Sequence, residues 1–218
     1  MKFSLVTLVA LFSSAVVHAL PASNSNGGIA VLLEAEAHSK RDVFDAAPAP
    51  NAKLERRAVR VNTGPTLQKQ MLDYHNAYRA HHATPPVTWS PTLAAFAAQQ
   101  AGQCRFSHTL NNPYGENVGG TTYSNAAYLI YLMYIEINSY NYNNPGFSKA
   151  TGHFTQLVWA STTQIGCAWA TGCPGNLPNI LFCEYSPRGN VLPAANFAAN
   201  VKYPVSRPKL PPVPPMNG

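Results

Sequence analysis

No stretch of this chain is apolar over the ~20 residues that a membrane-spanning helix requires. The most apolar run, Leu5 to Val17, is broken by Ser13 and Ser14. Charge is sparse too, at 11% of 218 residues, with only nine acids. Beyond Arg57, nine cations face four acids, a net charge of +5 with histidine neutral. The cations are scattered, with no helical stripe and no interleaved aromatics, which excludes a nucleic-acid partner. What remains is a weak attraction to acidic surfaces. There is no Asn-x-Ser/Thr sequon and no internal repeat. His-Glu-x-x-His and Gly-x-Ser-x-Gly are missing as well, so the familiar zinc-protease and serine-hydrolase patterns do not apply.

Cysteine is limited to Cys104, Cys167, Cys173 and Cys183. The spacing Cys167-x5-Cys173 is too wide for a zinc knuckle, and there is no second close pair. An even count in an exported chain predicts two disulfides, with three pairings open.

What is present begins with an export signal. Met1-Lys2, a short apolar core and a small residue at Ala19 predict a signal peptide over residues 1–19 and a secreted, extracellular protein. Residues 20–57 are rich in Ala, Asn, Ser and Pro and hold two dibasic pairs, Lys40-Arg41 and Arg56-Arg57. This composition predicts a disordered leader, removed as a pro-peptide. A short linker over 58–65 then leads into one domain over 66–203. The prolines from Pro204 to Pro215 predict a disordered, polyproline-like tail over 204–218.

Within the domain, apolar spacing predicts a helix from Thr66 to His82, stopped by Pro85-Pro86. Ser90-Pro91 starts a second helix, with serine as cap and proline at the first helical position. A third helix is expected from Ser124 to about Tyr140. Two strands follow, Gln164–Ala170 and Asn179–Tyr185. Three helices and then a hairpin indicate an α+β fold: an α-β-α sandwich with helices packed on a small antiparallel sheet, stapled by disulfides.

Four motifs lie in register along this domain: His75-Asn76-x-x-Arg79, Tyr114-Gly115-Glu116-Asn117, Gly152-His153-Phe154-Thr155-Gln156-Leu157-Val158-Trp159 and Ile180-Leu181-Phe182-Cys183-Glu184-Tyr185. Together they resemble the CAP superfamily (cysteine-rich secretory, antigen five, pathogenesis-related class one), above all its plant pathogenesis-related and fungal sterol-binding members. Glu184 departs from that pattern, adding a charge near the hairpin. So does Met133, where many relatives have tryptophan, and the extra plant cysteine pair is missing. The resemblance implies pairing of Cys104 with Cys173 and of Cys167 with Cys183. The second pair also follows from its place on adjacent strands joined by a short loop.

The resemblance further implies a cleft built from His108, Glu116, Glu136 and His153. Two imidazoles without a third strong ligand make an open, weakly held site for a divalent cation such as zinc or magnesium, with the glutamates orienting the histidines. Tyr140-x-Tyr142-x4-Phe147 is similar in spacing to the sterol-binding loop of yeast members. Asn141, Asn143, Asn144, Pro145 and Gly146 make that loop turn-forming. The expected function is binding and transport of a sterol, fatty acid or related lipid by a monomer outside the cell, with a defence or virulence role. A metal-dependent hydrolase and an extracellular signalling protein are the alternatives.

Overall fold

The computed structural model describes residues 58–218. The expected signal peptide, the leader and both dibasic pairs lie outside the described residues. Strands β1 (Arg60–Asn62), β2 (Thr88–Trp89), β3 (Gly115–Thr121), β4 (Gln164–Thr171) and β5 (Asn179–Ser186) form one sheet in the order β1-β4-β5-β3. β2 adds in parallel to β4 at Gln164 and Ile165, while the other pairings are antiparallel. Around this sheet lie α1 (Pro65–His81), α2 (Pro91–Ala101), α3 (Ala126–Tyr134), α4 (Gly152–Leu157) and α5 (Ala194–Asn200).

The helices form where local signals place them. In α1, Leu67, Met71, His75 and Tyr78 are buried along one face. In α2, the Ser90 hydroxyl accepts a hydrogen bond from the Leu93 N–H at 3.3 Å, and Pro91 opens the helix. The buried face of α2 is small (Ala94, Ala97, Ala101), so the helix sits close to β4. A Cβ on Gly166 would lie 2.2 Å from the Ala94 nitrogen, so only glycine fits that crossing. α3 is shorter than expected: after Tyr134 the chain tightens into a 3-10 helix, Ile135–Ser139, which carries Glu136.

The sheet separates two cores. On one side Met71, Leu129, Ile130, Met133, Phe154, Trp159, Tyr185 and Phe197 join α1, α3, α4 and α5. On the other, Ala97, Ala101, Val118, Ala168, Ile180 and Phe182 pack α2 against the strands. This is the expected α-β-α sandwich. Both expected disulfides form, Cys104–Cys173 and Cys167–Cys183. The first closes a separation of 69 residues. In the chain-entropy account such a link stabilises by about 4 kcal/mol.

Two features differ from expectation. β3 forms a seven-residue edge strand on β5 although Gly115, Gly119 and Gly120 weaken its strand propensity; Gly119 lies against Leu129 and Met133, where a Cβ would come within 3.0 Å. The proline-rich end, expected to be disordered, is extended but fastened. The Val205 N–H bonds the His81 carbonyl at 2.7 Å, and Asn125 donates through Nδ2 to the Pro215 carbonyl at 2.8 Å. Pro214 is buried.

Arg79 ties α1 to the far side of the same layer. Its guanidinium is fully buried and donates to four main-chain carbonyls: Pro85, Leu157, Trp159 and Thr162, at 2.8–3.0 Å. Burial pulls its pKa down to about 10. No acid faces it among these contacts, so the carbonyl dipoles alone solvate the cation.

Candidate functional site

A cleft of about 250 Å³ opens where α4 meets β3, lined by His108, Glu116, Asn117, Phe147, Lys149, Gly152, His153 and Asn190. Each histidine is held by its own glutamate. Glu136 accepts from His153 Nδ1 at 2.7 Å and from the His153 and Phe154 main-chain N–H groups at 3.0 Å. One carboxylate therefore caps the start of α4 and fixes the imidazole plane. Only 8% of either side chain is exposed. Glu116 accepts from His108 Nδ1 at 2.7 Å, from Thr109 N–H and Oγ1 at 2.9 and 2.6 Å, and from Asn112 Nδ2 at 3.2 Å. The His108 side chain is 51% exposed, so this pair forms the open wall of the cleft.

The chemistry of these pairs follows from their partners. Burial alone would raise the Glu116 pKa, but the bonds from His108 and Thr109 outweigh it and leave the carboxyl below its ordinary value. With Nδ1–H given to a carboxylate, Nε2 is the lone-pair nitrogen of each ring, the form that binds a cation.

Glu184 lies directly across the β3–β5 pairing from Glu116. It accepts from Asn112 Nδ2 at 2.9 Å through Oε2, while Oε1 meets no donor. Burial first, and then the Glu116 charge, push its pKa up to about 9. The expectation of an added charge near the hairpin is thus corrected: the residue is buried, and neutral at pH 7.

Behind the cleft runs a hydrogen-bonded chain. His75 Nδ1 donates to the Met71 carbonyl at 2.7 Å, which fixes the tautomer and leaves Nε2 to accept from the Tyr185 hydroxyl at 2.8 Å. Asn117 Nδ2 bonds the Tyr185 oxygen at 3.2 Å and the His153 carbonyl at 3.1 Å. Burial lowers the His75 pKa to about 4, so the ring is neutral. His75 is a buried strut, and Asn117 passes its position on to α4.

The structure brings His108, Glu116 and His153 to one cleft, with Glu136 behind His153. Among the described residues no three His, Cys, Asp or Glu side chains converge as a metal cage. Two imidazoles are the available donors, and Lys149 on the rim opposes a cation. Of the three loop aromatics, Tyr140 and Tyr142 pack edge to face at 4.8 Å, and Phe147 stands apart. Tyr140 is buried against Phe154, with ring centroids 5.6 Å apart. Tyr142 stacks on Tyr203 at 4.3 Å. Only Phe147, 53% exposed, reaches the cleft. Lys149, Asn112 and Tyr203 carried no signal in the sequence, whereas Asn117 stands within a motif and Asn190 follows the last one by five residues.

A three-layer α-β-α domain with two disulfides and two His–Glu pairs at one cleft defines a class of domain. Residues 72–185 match CAP, the Cysteine-rich secretory protein family, and the chain belongs to it. It is similar to Protein PRY2 of Saccharomyces cerevisiae, at 43% identity over 138 residues, 60% of this chain and 40% of that protein. Repressed by EFG1 protein 1 of Candida albicans is 41% identical over 129 residues, 57% of this chain and 47% of the relative. Pathogenesis-related protein PRMS of Zea mays is 40% identical over 125 residues, 53% of this chain and 74% of the relative. The chain thus spans less than half the length of the two yeast proteins. Among solved structures, BmVAL-1 superposes with a TM-score of 0.50 at 26% identity, covering 67% of this chain and 84% of that one. NaASP2 with Zn2+ shares the fold, with a TM-score of 0.54 at 20% identity, 66% of this chain and 88% of the other.

Proposed function

We propose that this is a secreted binding protein that takes up a sterol or related lipid through the loop 140–147, with the histidine cleft as a separate, weak divalent-cation site. The observation that carries the lipid reading is Tyr142. Its hydroxyl is enclosed without a partner, and its ring is stacked on Tyr203 beside the turn-forming Asn141, Asn143 and Asn144. An apolar ligand with one hydroxyl suits such a place: its body replaces ring contacts at roughly 25 cal/mol per Å² of apolar area buried, and its hydroxyl meets the orphaned phenol.

Export is supported by the amino-terminal pattern, by two disulfides and by a 37% identical relative named Secreted protein RBT4, from Candida albicans. Binding is preferred to hydrolysis because both cleft acids are engaged. Glu136 accepts three hydrogen bonds and Glu116 four, so neither is poised as a general base.

Two measurements test this reading. Saturable binding of labelled cholesterol or ergosterol is expected for the wild type and should be lost in Tyr142→Ala/Phe147→Ala; equal binding by both removes the loop from the mechanism. For the cation, a Zn2+ titration should show weak saturable binding that vanishes in His108→Ala/His153→Ala. An unchanged titration in the double variant would put the metal elsewhere.

A further inference from the structure

We infer that the groove between α1 and α3 is a docking surface for proline-rich segments, filled in this molecule by its own residues 204–217. The occupant enters at the end of α1, where His81 takes up both the Val205 N–H, through its carbonyl, and the Pro208 carbonyl, through Nδ1 at 3.0 Å. It leaves at the start of α3. There the Asn125 N–H bonds the Met216 carbonyl at 3.2 Å, its Nδ2 bonds the Pro215 carbonyl, and Asn217 Oδ1 accepts from the Ser124 N–H.

The two ends of the groove are registered to each other. Gln70 Nε2 bonds Asn125 Oδ1 at 2.8 Å, which fixes the start of α3 beside the second turn of α1. From Gln70 to His81 a helix rises about 16 Å. From Pro208 to Pro215 a chain of polyproline II rise would span about 22 Å, more than enough to cross that interval. Proline offers no N–H, so a proline-rich segment can be gripped only through its carbonyls and ring faces. The groove grips carbonyls at both ends with side-chain donors, His81 and Asn125.

Between those donors lies tyrosine. Gln70, Tyr74 and His81 lie along α1, and Tyr128 and Tyr131, 5.7 Å apart, follow Asn125 on α3, while Tyr78 turns into the core and stacks on Tyr134 at 4.0 Å. Rigid aromatic walls with flanking donors recognise polyproline II at small entropic cost, because the ligand is extended before it binds. The burial of Pro214 and half-burial of Pro211 between the anchors fit that mode. Other proline-rich chains of the same spacing compete for the groove whenever the tail lifts.

The test uses the full chain with residues 204–218 replaced by a Gly/Ser segment of equal length, which removes every anchoring residue of the tail and leaves the groove walls intact. A fluorescent peptide of residues 204–218 should bind this variant saturably. Wild type should bind it at least about tenfold more weakly, because the tethered tail competes at millimolar effective concentration. Asn125→Asp in the Gly/Ser background retains the cap acceptor and removes the donor, so it should weaken the peptide severalfold. Absence of saturable binding to the folded variant overturns the inference. In wild type, the Val205 and Asn125 amides should be protected from hydrogen exchange, and unprotected amides would overturn it without any variant. A wild-type dimer that dissociates on loss of the tail would assign the groove to a second copy instead.

Discussion

Replacing Arg79 with alanine should lower the unfolding free energy by roughly 3–5 kcal/mol, because four buried carbonyls lose their donors together. The affected groups belong to three segments: Pro85 after α1, Leu157 at the end of α4, and Trp159 and Thr162 in the turn before β4. Arg79→Lys should recover little, since a single ammonium cannot reproduce a planar fork that serves four acceptors. Urea denaturation midpoints of wild type and both variants provide the comparison. A lysine variant as stable as wild type would show that charge alone, without the fork, holds the layer together.

Glu184→Gln should stabilise the protein at alkaline pH and change little near pH 4.5. The sign follows from which state holds the proton. Folded Glu184 titrates near 9, well above its ordinary 4.5, so between those values the folded state keeps a proton that the unfolded chain has released. Stability therefore falls as pH rises through that window, at most by about 1.4 kcal/mol per pH unit. Glutamine keeps an acceptor for Asn112, gives a donor to Glu116 and cannot ionise, which flattens the slope. His75 acts on the acid side. Its folded pKa of about 4 lies below the ordinary 6.5, so stability is present above 6.5 and drains away as pH falls toward 4. Glu116, lowered in the fold, adds to that acid limb below 4.5. Thermal midpoints from pH 4 to 9 would show both limbs. An alkaline slope that persists in Glu184→Gln would mean that another group carries it.

The parts of this fold legible in the sequence are those with strong local signals. Ser90-Pro91 marked the start of α2, and apolar spacing marked α1 and the β4–β5 hairpin within a residue or two. β3 was illegible as a strand because its three glycines serve tertiary closeness, and propensity reads them as weakness. β1 has three exposed residues, and α5 buries only Phe197, so neither carries enough pattern to stand out. The cleft shows the same division. His108, Glu116, Glu136 and His153 were reached by family resemblance, but their assortment into two separate His–Glu pairs depends on the 3-10 turn after α3 and on β3. Neither was foreseen. Glu184 looked like an added charge near the hairpin because cross-strand register, which buries it opposite Glu116, has no local signature.

The placement of the cross-links has a consequence for how such a molecule diversifies. Both disulfides end on the β4–β5 hairpin or its connecting loop, and no cysteine falls between Cys104 and Cys167. That uninterrupted segment supplies His108, Glu116, Asn117, Glu136, Phe147, Lys149 and His153, and Asn190 is the one cleft-lining residue outside it. It behaves as a cassette clamped at both ends. Changing its exposed residues alters the cleft without touching either cross-link, as long as the core that it carries in β3, α3 and α4 is kept.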